Sequence, residues 1–191
     1  RARGPSKSGP GPMNDLSPLR LWLMRAGFVL LVVVVLFFHL LPLETSPRRW
    51  AAPDLILGFA CAWSLRRPEY VPAISLAALF LLTDLLFQRP PGLWSGLALL
   101  GCEYLKSSGR GLRDSGFVSE WLTVSGVIIA IAAANRLILA ILLVDMPPLG
   151  LTLFETGTTL LFYPAMVLVT HGMMGVRKSA PGDLDGMGKR V

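Results

Sequence analysis

The chain has 191 residues, of which 53% are hydrophobic and only 16% charged, and its mean hydropathy is +0.58. Water-soluble globular proteins carry about 25% charged residues, so the composition excludes an ordinary soluble domain and indicates an integral membrane protein. The apolar runs are continuous rather than alternating, which favours transmembrane helices over a β-barrel. Basic loops beside an anionic membrane surface account for the net charge of +6, so no nucleic-acid partner is expected.

Six apolar segments predict an all-α fold, a polytopic membrane bundle of six transmembrane helices. The second and fourth are shorter than the roughly 20 residues that a bilayer requires. We expect these two either to lie in a locally thin bilayer or to pack inside the bundle. The segments cover residues 21–41, 50–65, 70–87, 93–105, 120–144 and 149–176.

One membrane domain, residues 20–176, is predicted between two polar ends. Residues 1–19 are basic and rich in Gly and Pro and are expected to be disordered, and residues 177–191 form a cytoplasmic tail. The first twelve residues precede the first methionine, Met13, and their origin is left open. No cleavage site follows the first apolar run, so we interpret that run as a transmembrane helix rather than a signal peptide.

The distribution of lysine and arginine predicts the orientation in the membrane. With a cytoplasmic N-terminus, only Arg48, Arg49 and Arg89 fall in outer loops, whereas nearly all other basic residues lie on the inner side. Cytoplasmic loops carry an excess of Lys and Arg, so both termini are predicted to be inside.

Four polar residues inside the apolar segments are the candidate site. Asp84, Arg136 and Glu155 are placed about 5, 12 and 9 Å from the outer ends of their helices, and Asn135 neighbours Arg136. An arginine at that depth needs an acceptor, so we expect Arg136 to pair with Asp84 or Glu155 and to tie helices together. The alternative is that each residue snorkels or faces water. A structural role is favoured over a catalytic one.

Small residues form a stripe on the fifth segment, at Gly126, Ala130 and Ala133 or Ala134. Such a stripe lets a second helix approach closely. That helix could belong to a partner or to the same bundle, and the second alternative is favoured. Glu103 and Glu120 lie near inner ends of their helices and are expected to reach water.

Signatures of catalysis and of metal binding are missing from the sequence. It has no nucleophile elbow, no zinc-protease motif and no phosphate-binding loop, so no enzymatic activity and no cofactor are predicted. Cys61 and Cys102 both lie in apolar runs and are expected to be buried thiols, so neither a disulfide framework nor a metal site is predicted.

Several short motifs occur in the order found in a known family. They are HLLPLETSPRRW at 39–50, PD at 53–54, LRRPEYVPA at 65–73 and TDLLFQRPPGLW at 83–94, followed by EWLTV at 120–124 and Asn135-Arg136. In these motifs the chain resembles MreD, the rod shape-determining membrane proteins, most closely the alphaproteobacterial form. The resemblance runs from about residue 21 to the tail.

The resemblance implies a non-catalytic scaffold of the bacterial inner membrane. Members of this family act in peptidoglycan synthesis beside MreC, the MreB filament, the RodA glycosyltransferase and a class B penicillin-binding protein. The family is similar in fold to the substrate-binding subunits of energy-coupling-factor transporters, which also implies six helices with both ends inside. The alternative function is a small-molecule or lipid-binding transporter subunit whose pocket would be the cluster of Asp84, Asn135, Arg136 and Glu155.

Overall fold

Helices account for almost all of the chain that the computed structural model describes, which is residues 18–41, 52–109, 111–112, 116–144 and 146–174. No strand occurs in these ranges, so the predicted all-α fold is confirmed. The predicted tail at 177–191 and the predicted N-terminal region up to residue 17 lie outside the described residues. The helices are α1 (Pro18–Leu40), α2 (Leu55–Arg66), α3 (Ala73–Leu86), α4 (Leu93–Ser108), α5 (Phe117–Ile141) and α6 (Leu149–Met174), with a 3-10 turn at Pro68–Tyr70.

Three helices are long and apolar enough to cross a membrane. These are α1 with 23 residues, α5 with 25, and the 24 residues Leu149–Gly172 of α6. A rise of 1.5 Å per residue makes each about 35 Å long, which exceeds the hydrocarbon thickness of about 30 Å. By length and composition, the chain is therefore a membrane protein.

The short helix α2 forms the centre of the bundle. Every residue from Ile56 to Leu65 is buried, and the helix packs against α1, α4 and α6. Its 12 residues extend only about 18 Å. Of the two alternatives for the short second segment, the structure therefore shows packing inside the bundle, whereas α4, the fourth, also has an exposed face that includes Leu100 and Tyr104.

Helix α1 contacts the bundle along one narrow stripe. Phe28, Val32 and Leu36 recur every four residues and are the buried positions of this helix. The Phe28 ring lies 5.1 Å from that of Trp63 on α2. Most other side chains of α1 are apolar and exposed, including Trp22 and Phe37. An apolar surface of this extent is typical of a helix that faces lipid.

Contacts between helix ends define two ends of the bundle. At one end the His39 ring of α1 lies 5.0 Å from the Phe87 ring, which follows α3. At the other end Arg25 of α1 donates to the Glu69 carbonyl in the 3-10 turn. Helix α2 begins at the first end and finishes at the second. We call the first the cavity end, for the reason given below, and the second the closed end.

Candidate functional site

A polar cavity of about 260 Å³ lies where α2 and α6 begin, α5 finishes and the turn between α3 and α4 passes. Charged or amide side chains in its lining come from all of these elements. The apolar part of the wall comes mainly from α5 and from the connection between α5 and α6. The lining residues are Asp54, Leu57, Gln88, Arg89, Pro90, Trp94, Ile128, Ala132, Asn135, Arg136, Leu139, Val144, Met146, Pro147, Thr152, Glu155, Thr156 and Thr159.

Arg136 binds the start of α6 through one nitrogen. Its Nη1 donates to the Pro147 carbonyl at 3.1 Å and to the Thr152 hydroxyl at 2.9 Å. Pro147 immediately precedes Pro148, at which the chain turns into α6. The bonds therefore join the last turns of α5 to the first turn of α6. The Nε and Nη2 atoms of Arg136 make no hydrogen bond to any residue the structure describes.

Asp84 lies outside the cavity lining and caps α4 instead. It is fully buried, and its Oδ2 accepts from the backbone N–H groups of Gly92 and Ser95 at 3.0 and 3.1 Å. Gly92 occupies the N-cap position with φ +93° and has no side chain that could cap the helix. The first N–H groups of a helix need an acceptor, and the helix dipole favours a negative charge there. Asp84 supplies both from the preceding helix.

This geometry corrects the expected pairing of Arg136 with Asp84. The two side chains have different partners, namely the start of α6 for Arg136 and the start of α4 for Asp84. Matching their depths was insufficient, because residues at one depth can still lie on different sides of a bundle. Nearby unpaired N–H groups supplied the partner that a carboxylate in an apolar helix requires.

Glu155 and Asn135 do line the cavity with Arg136. A Glu155 oxygen lies 3.9 Å from Nη2 of Arg89, and both side chains are about one-third exposed. The Arg89 guanidinium also lies 5.2 Å from the centre of the Trp94 ring. The structure therefore brings three of the four predicted site residues to one cavity, and adds one cation, Arg89, and one acid, Asp54.

Asp54 lines the cavity but is not one of the predicted site residues, although it belongs to the PD motif at 53–54. Its Oδ1 accepts from the Leu57 N–H at 2.9 Å, which caps α2, and its own N–H donates to the Thr159 hydroxyl at 2.8 Å. A Pro-Asp pair before an apolar run is the available sequence signal, because Asp is a preferred N-cap residue. The capping bond uses only one of the two carboxylate oxygens.

The closed end contains a buried ion pair that sequence reasoning missed. Arg66 donates from Nε and Nη2 to the two oxygens of Glu120 at 2.8 and 3.1 Å, and the Tyr163 hydroxyl donates to the same carboxylate at 3.2 Å. The expectation that Glu120 reaches water is wrong, since the residue is 1% exposed. The sequence signal that could have indicated this ion pair is the shortness of the second apolar segment. A short helix inside the bundle places its last residue, Arg66, among neighbouring helices.

An open apolar groove runs between α4 and α5, with a volume of about 630 Å³. Gly126, Ala130 and Ala133 are exposed and Ala134 is half-buried, so the small-residue stripe faces outward. The favoured expectation of a neighbour from the same bundle is wrong for this face. The groove is lined by Leu97, Gly101, Tyr104, Leu122, Thr123, Gly126, Val127, Ala130, Ile131 and Ala134.

Metal binding has no support in the described ranges, where no group of three or more His, Cys, Asp or Glu side chains converges. Comparison with protein-family models, with curated proteins and with solved structures found no match to this chain. The features of the chain that bear on its function are the cavity, the groove and the motifs at 39–136.

Proposed function

We propose that this chain is a non-catalytic scaffold of the bacterial inner membrane, of the MreD type, that binds the single transmembrane helix of MreC. In this role it would help to position peptidoglycan synthases during cell elongation and so maintain cell shape. The motif resemblance supports the choice of partner. The observation that carries the binding role is the open groove between α4 and α5.

The groove has the chemistry that a membrane helix requires of a partner. Lipid tails are as apolar as leucine, so helices associate in a bilayer through close van der Waals packing, which small residues permit. Gly126 is one such position, because a Cβ built there has no atom within 4 Å. Gly101 is different, because a Cβ there would lie 2.6 Å from Cδ1 of Ile131. Gly101 serves the α4–α5 contact, whereas Gly126 faces the groove.

The proposed topology has six spans with both termini in the cytoplasm. The closed end, with Arg25, Arg66, Arg67 and Lys106 nearby, would then face the cytoplasm, where the MreB filament assembles. The cavity end would face outward, on the side where RodA and a class B penicillin-binding protein build peptidoglycan. The basic composition of the loops at the closed end supports this orientation.

A transporter subunit for a small molecule or lipid is the second candidate, and the polar cavity is the observation that favours it. Mutual pairing of the predicted site residues would have supported a purely structural cluster. Arg136, Asn135 and Glu155 instead share an open cavity. The cavity and the groove are lined by different residues. One protein could therefore bind a partner helix in the groove and a ligand in the cavity.

Co-purification with MreC tests the scaffold function. The chain is co-expressed with tagged MreC and purified in mild detergent, and Gly126→Leu is compared with Gly157→Leu on α6. Both glycines are exposed helical positions with open space at Cβ, so both variants should fold. We expect Gly126→Leu to reduce recovery with MreC at least tenfold and Gly157→Leu to leave it unchanged.

Two results would contradict the proposal. One is failure of the unchanged protein to co-purify with MreC. The other is equal recovery of both leucine variants, which would show that the groove is not the contact surface. Each variant's melting temperature in detergent is measured in parallel, so that loss of binding is separated from loss of folding.

A further inference from the structure

We propose that the polar cavity binds a small zwitterion, in which a phosphate or carboxylate is joined by a few bonds to a primary ammonium group. The headgroup of phosphatidylethanolamine and free phosphoethanolamine both have this chemistry. The site does not depend on the scaffold function, because it lies at the ends of the helices and is separate from the α4–α5 groove.

The anionic group is assigned to Arg136. The guanidinium edge formed by Nε and Nη2 makes no hydrogen bond to the described chain, and the Asn135 amide beside it makes none either. At the closed end the same edge of Arg66 binds both oxygens of the Glu120 carboxylate. This two-nitrogen edge matches a pair of oxygens on a carboxylate or a phosphate. In Arg136 the same two nitrogens, Nε and Nη2, are therefore available to a ligand in the cavity, whereas in Arg66 they bind Glu120.

The ammonium group is assigned to Asp54. Its Oδ1 caps α2, and its Oδ2 accepts no hydrogen bond from any described residue. Asp54 is half-buried and lines the same cavity as Arg136. A carboxylate oxygen in this position can accept from an ammonium group, which has three donors and no acceptor.

The balance of charge in the lining selects a zwitterion over a simple anion. Among the described residues, the lining has two guanidinium groups, from Arg89 and Arg136, and two carboxylates, from Asp54 and Glu155, of which Arg89 and Glu155 lie 3.9 Å apart. An anion alone would be repelled by the carboxylates, and a cation alone by the guanidinium groups. A ligand that carries both charges meets an opposite charge at each end.

The size and position of the cavity suit a headgroup. A volume of about 260 Å³ admits a small polar group but not acyl chains. Leu57, Ile128 and Leu139 provide apolar wall for the short carbon linker between the two charges. The cavity extends from the middle of α5 to the ends of α5 and α6, two helices long enough to span a membrane, and lipid headgroups lie at the ends of such helices.

Thermal unfolding of the purified chain in detergent tests the site. The probes are three short-chain lipids and free phosphoethanolamine. The lipids are phosphatidylethanolamine, phosphatidylglycerol, whose headgroup has only an anionic charge, and phosphatidylcholine, whose headgroup has a quaternary ammonium group instead of a primary one. Arg136→Gln and Asp54→Asn are compared with Lys106→Gln and Glu103→Gln, which change an ion pair on α4 far from the cavity. We expect phosphatidylethanolamine to raise the melting temperature saturably and more than the other two lipids do.

Each cavity variant should weaken the apparent affinity about tenfold or more, and the two control variants should not change it. A shift with phosphoethanolamine as well as the lipid would assign recognition to the headgroup alone. A shift with the lipid only would assign the site to bilayer lipid, and a shift with phosphoethanolamine only would assign it to a free solute.

The proposal is overturned if none of these probes shifts the melting temperature, or if phosphatidylglycerol acts as strongly as phosphatidylethanolamine. It is overturned also if the shift persists unchanged in both cavity variants. Native mass spectrometry of the unchanged protein in equimolar lipid mixtures gives the same comparison without a variant. Preferential retention of phosphatidylethanolamine is expected there, and equal retention of all three lipids would contradict the site.

Discussion

Two arginines at opposite ends of the bundle differ in how many of their hydrogen-bond donors have partners within the chain. Arg66 at the closed end binds a buried carboxylate through Nε and Nη2, and a tyrosine hydroxyl completes the group. Arg136 at the cavity end binds a carbonyl and a hydroxyl through Nη1 alone. The first arrangement is complete within the chain, whereas the second leaves donors directed to no described residue.

The difference follows from which elements surround each arginine. Arg66 ends the buried helix α2, and α5 and α6 both pass beside it with acidic and phenolic side chains. Arg136 lies near the end of α5, where the next element is the turn into α6, which offers a carbonyl and a threonine. We infer that a charged group whose partners all lie within the chain, such as Arg66 with Glu120, stabilises the fold. A charged group with unused donors, such as Arg136, is instead available to bind a ligand.

The largest loss of stability is expected from a substitution at the closed end. Replacing Glu120 by Ala leaves Arg66 buried without its counter-ion, which should lower the free energy of unfolding by about 3–5 kcal/mol. The double variant Arg66→Met with Glu120→Leu should recover much of that loss, because it removes both charges. Unfolding of each purified variant is followed by circular dichroism. A single variant as stable as the unchanged protein would refute the assigned role of the pair.

An intermediate loss of stability is expected at Asp84, which lies at the cavity end and is fully buried; its Oδ2 caps α4, whereas its Oδ1 has no hydrogen-bond partner among the described residues. Asp84→Ala removes the acceptor from two backbone N–H groups and should cost about 2 kcal/mol. Asp84→Asn keeps an amide oxygen that can accept, so it should cost clearly less. The same unfolding assay ranks the two variants. Equal losses would mean that charge, rather than capping, is what α4 requires.

The smallest effect is expected at Arg136. Its side chain is half-buried, and Arg136→Gln removes two hydrogen bonds without isolating a buried counter-charge, so a cost of about 1 kcal/mol is expected. Glu120→Ala and Arg136→Gln are therefore the pair that tests the comparison between the two ends. Similar losses of unfolding free energy in both variants would show that Arg136 contributes as much to stability as Glu120 does, which would contradict the comparison.

Hydrophobic pattern predicted the helices well and their ends less well. The fourth segment extends beyond residue 105 to Ser108, because a helix can continue into polar residues once its apolar face is packed. Helix α3 begins at Ala73 rather than near residue 70, because Pro68–Tyr70 form a 3-10 turn and Pro72 occupies the N-cap. The start of α3 is thus set by a local effect of proline that a hydropathy pattern does not contain.

Side-chain partners were harder to predict than helices. Depth along the membrane normal correctly grouped Arg136, Asn135 and Glu155, since each of them lines the cavity. It failed for Asp84, whose partners lie eight and eleven residues ahead in the sequence, at the start of the next helix. It missed Arg66 and Glu120, which are 54 residues apart and meet only because α2 is packed inside the bundle. Lateral position in a bundle depends on packing between helices.

The proposed scaffold function requires that the groove between α4 and α5 receives a partner's transmembrane helix. Site-specific disulfide cross-linking in membranes tests it most directly, with a cysteine at position 126 or at position 157 and a cysteine scanned along the MreC span. The native thiols Cys61 and Cys102 are buried and form a suitable background. We expect a cross-link from position 126 with helical periodicity along MreC and none from position 157. Cross-linking from position 157 alone, or from neither position, would contradict it.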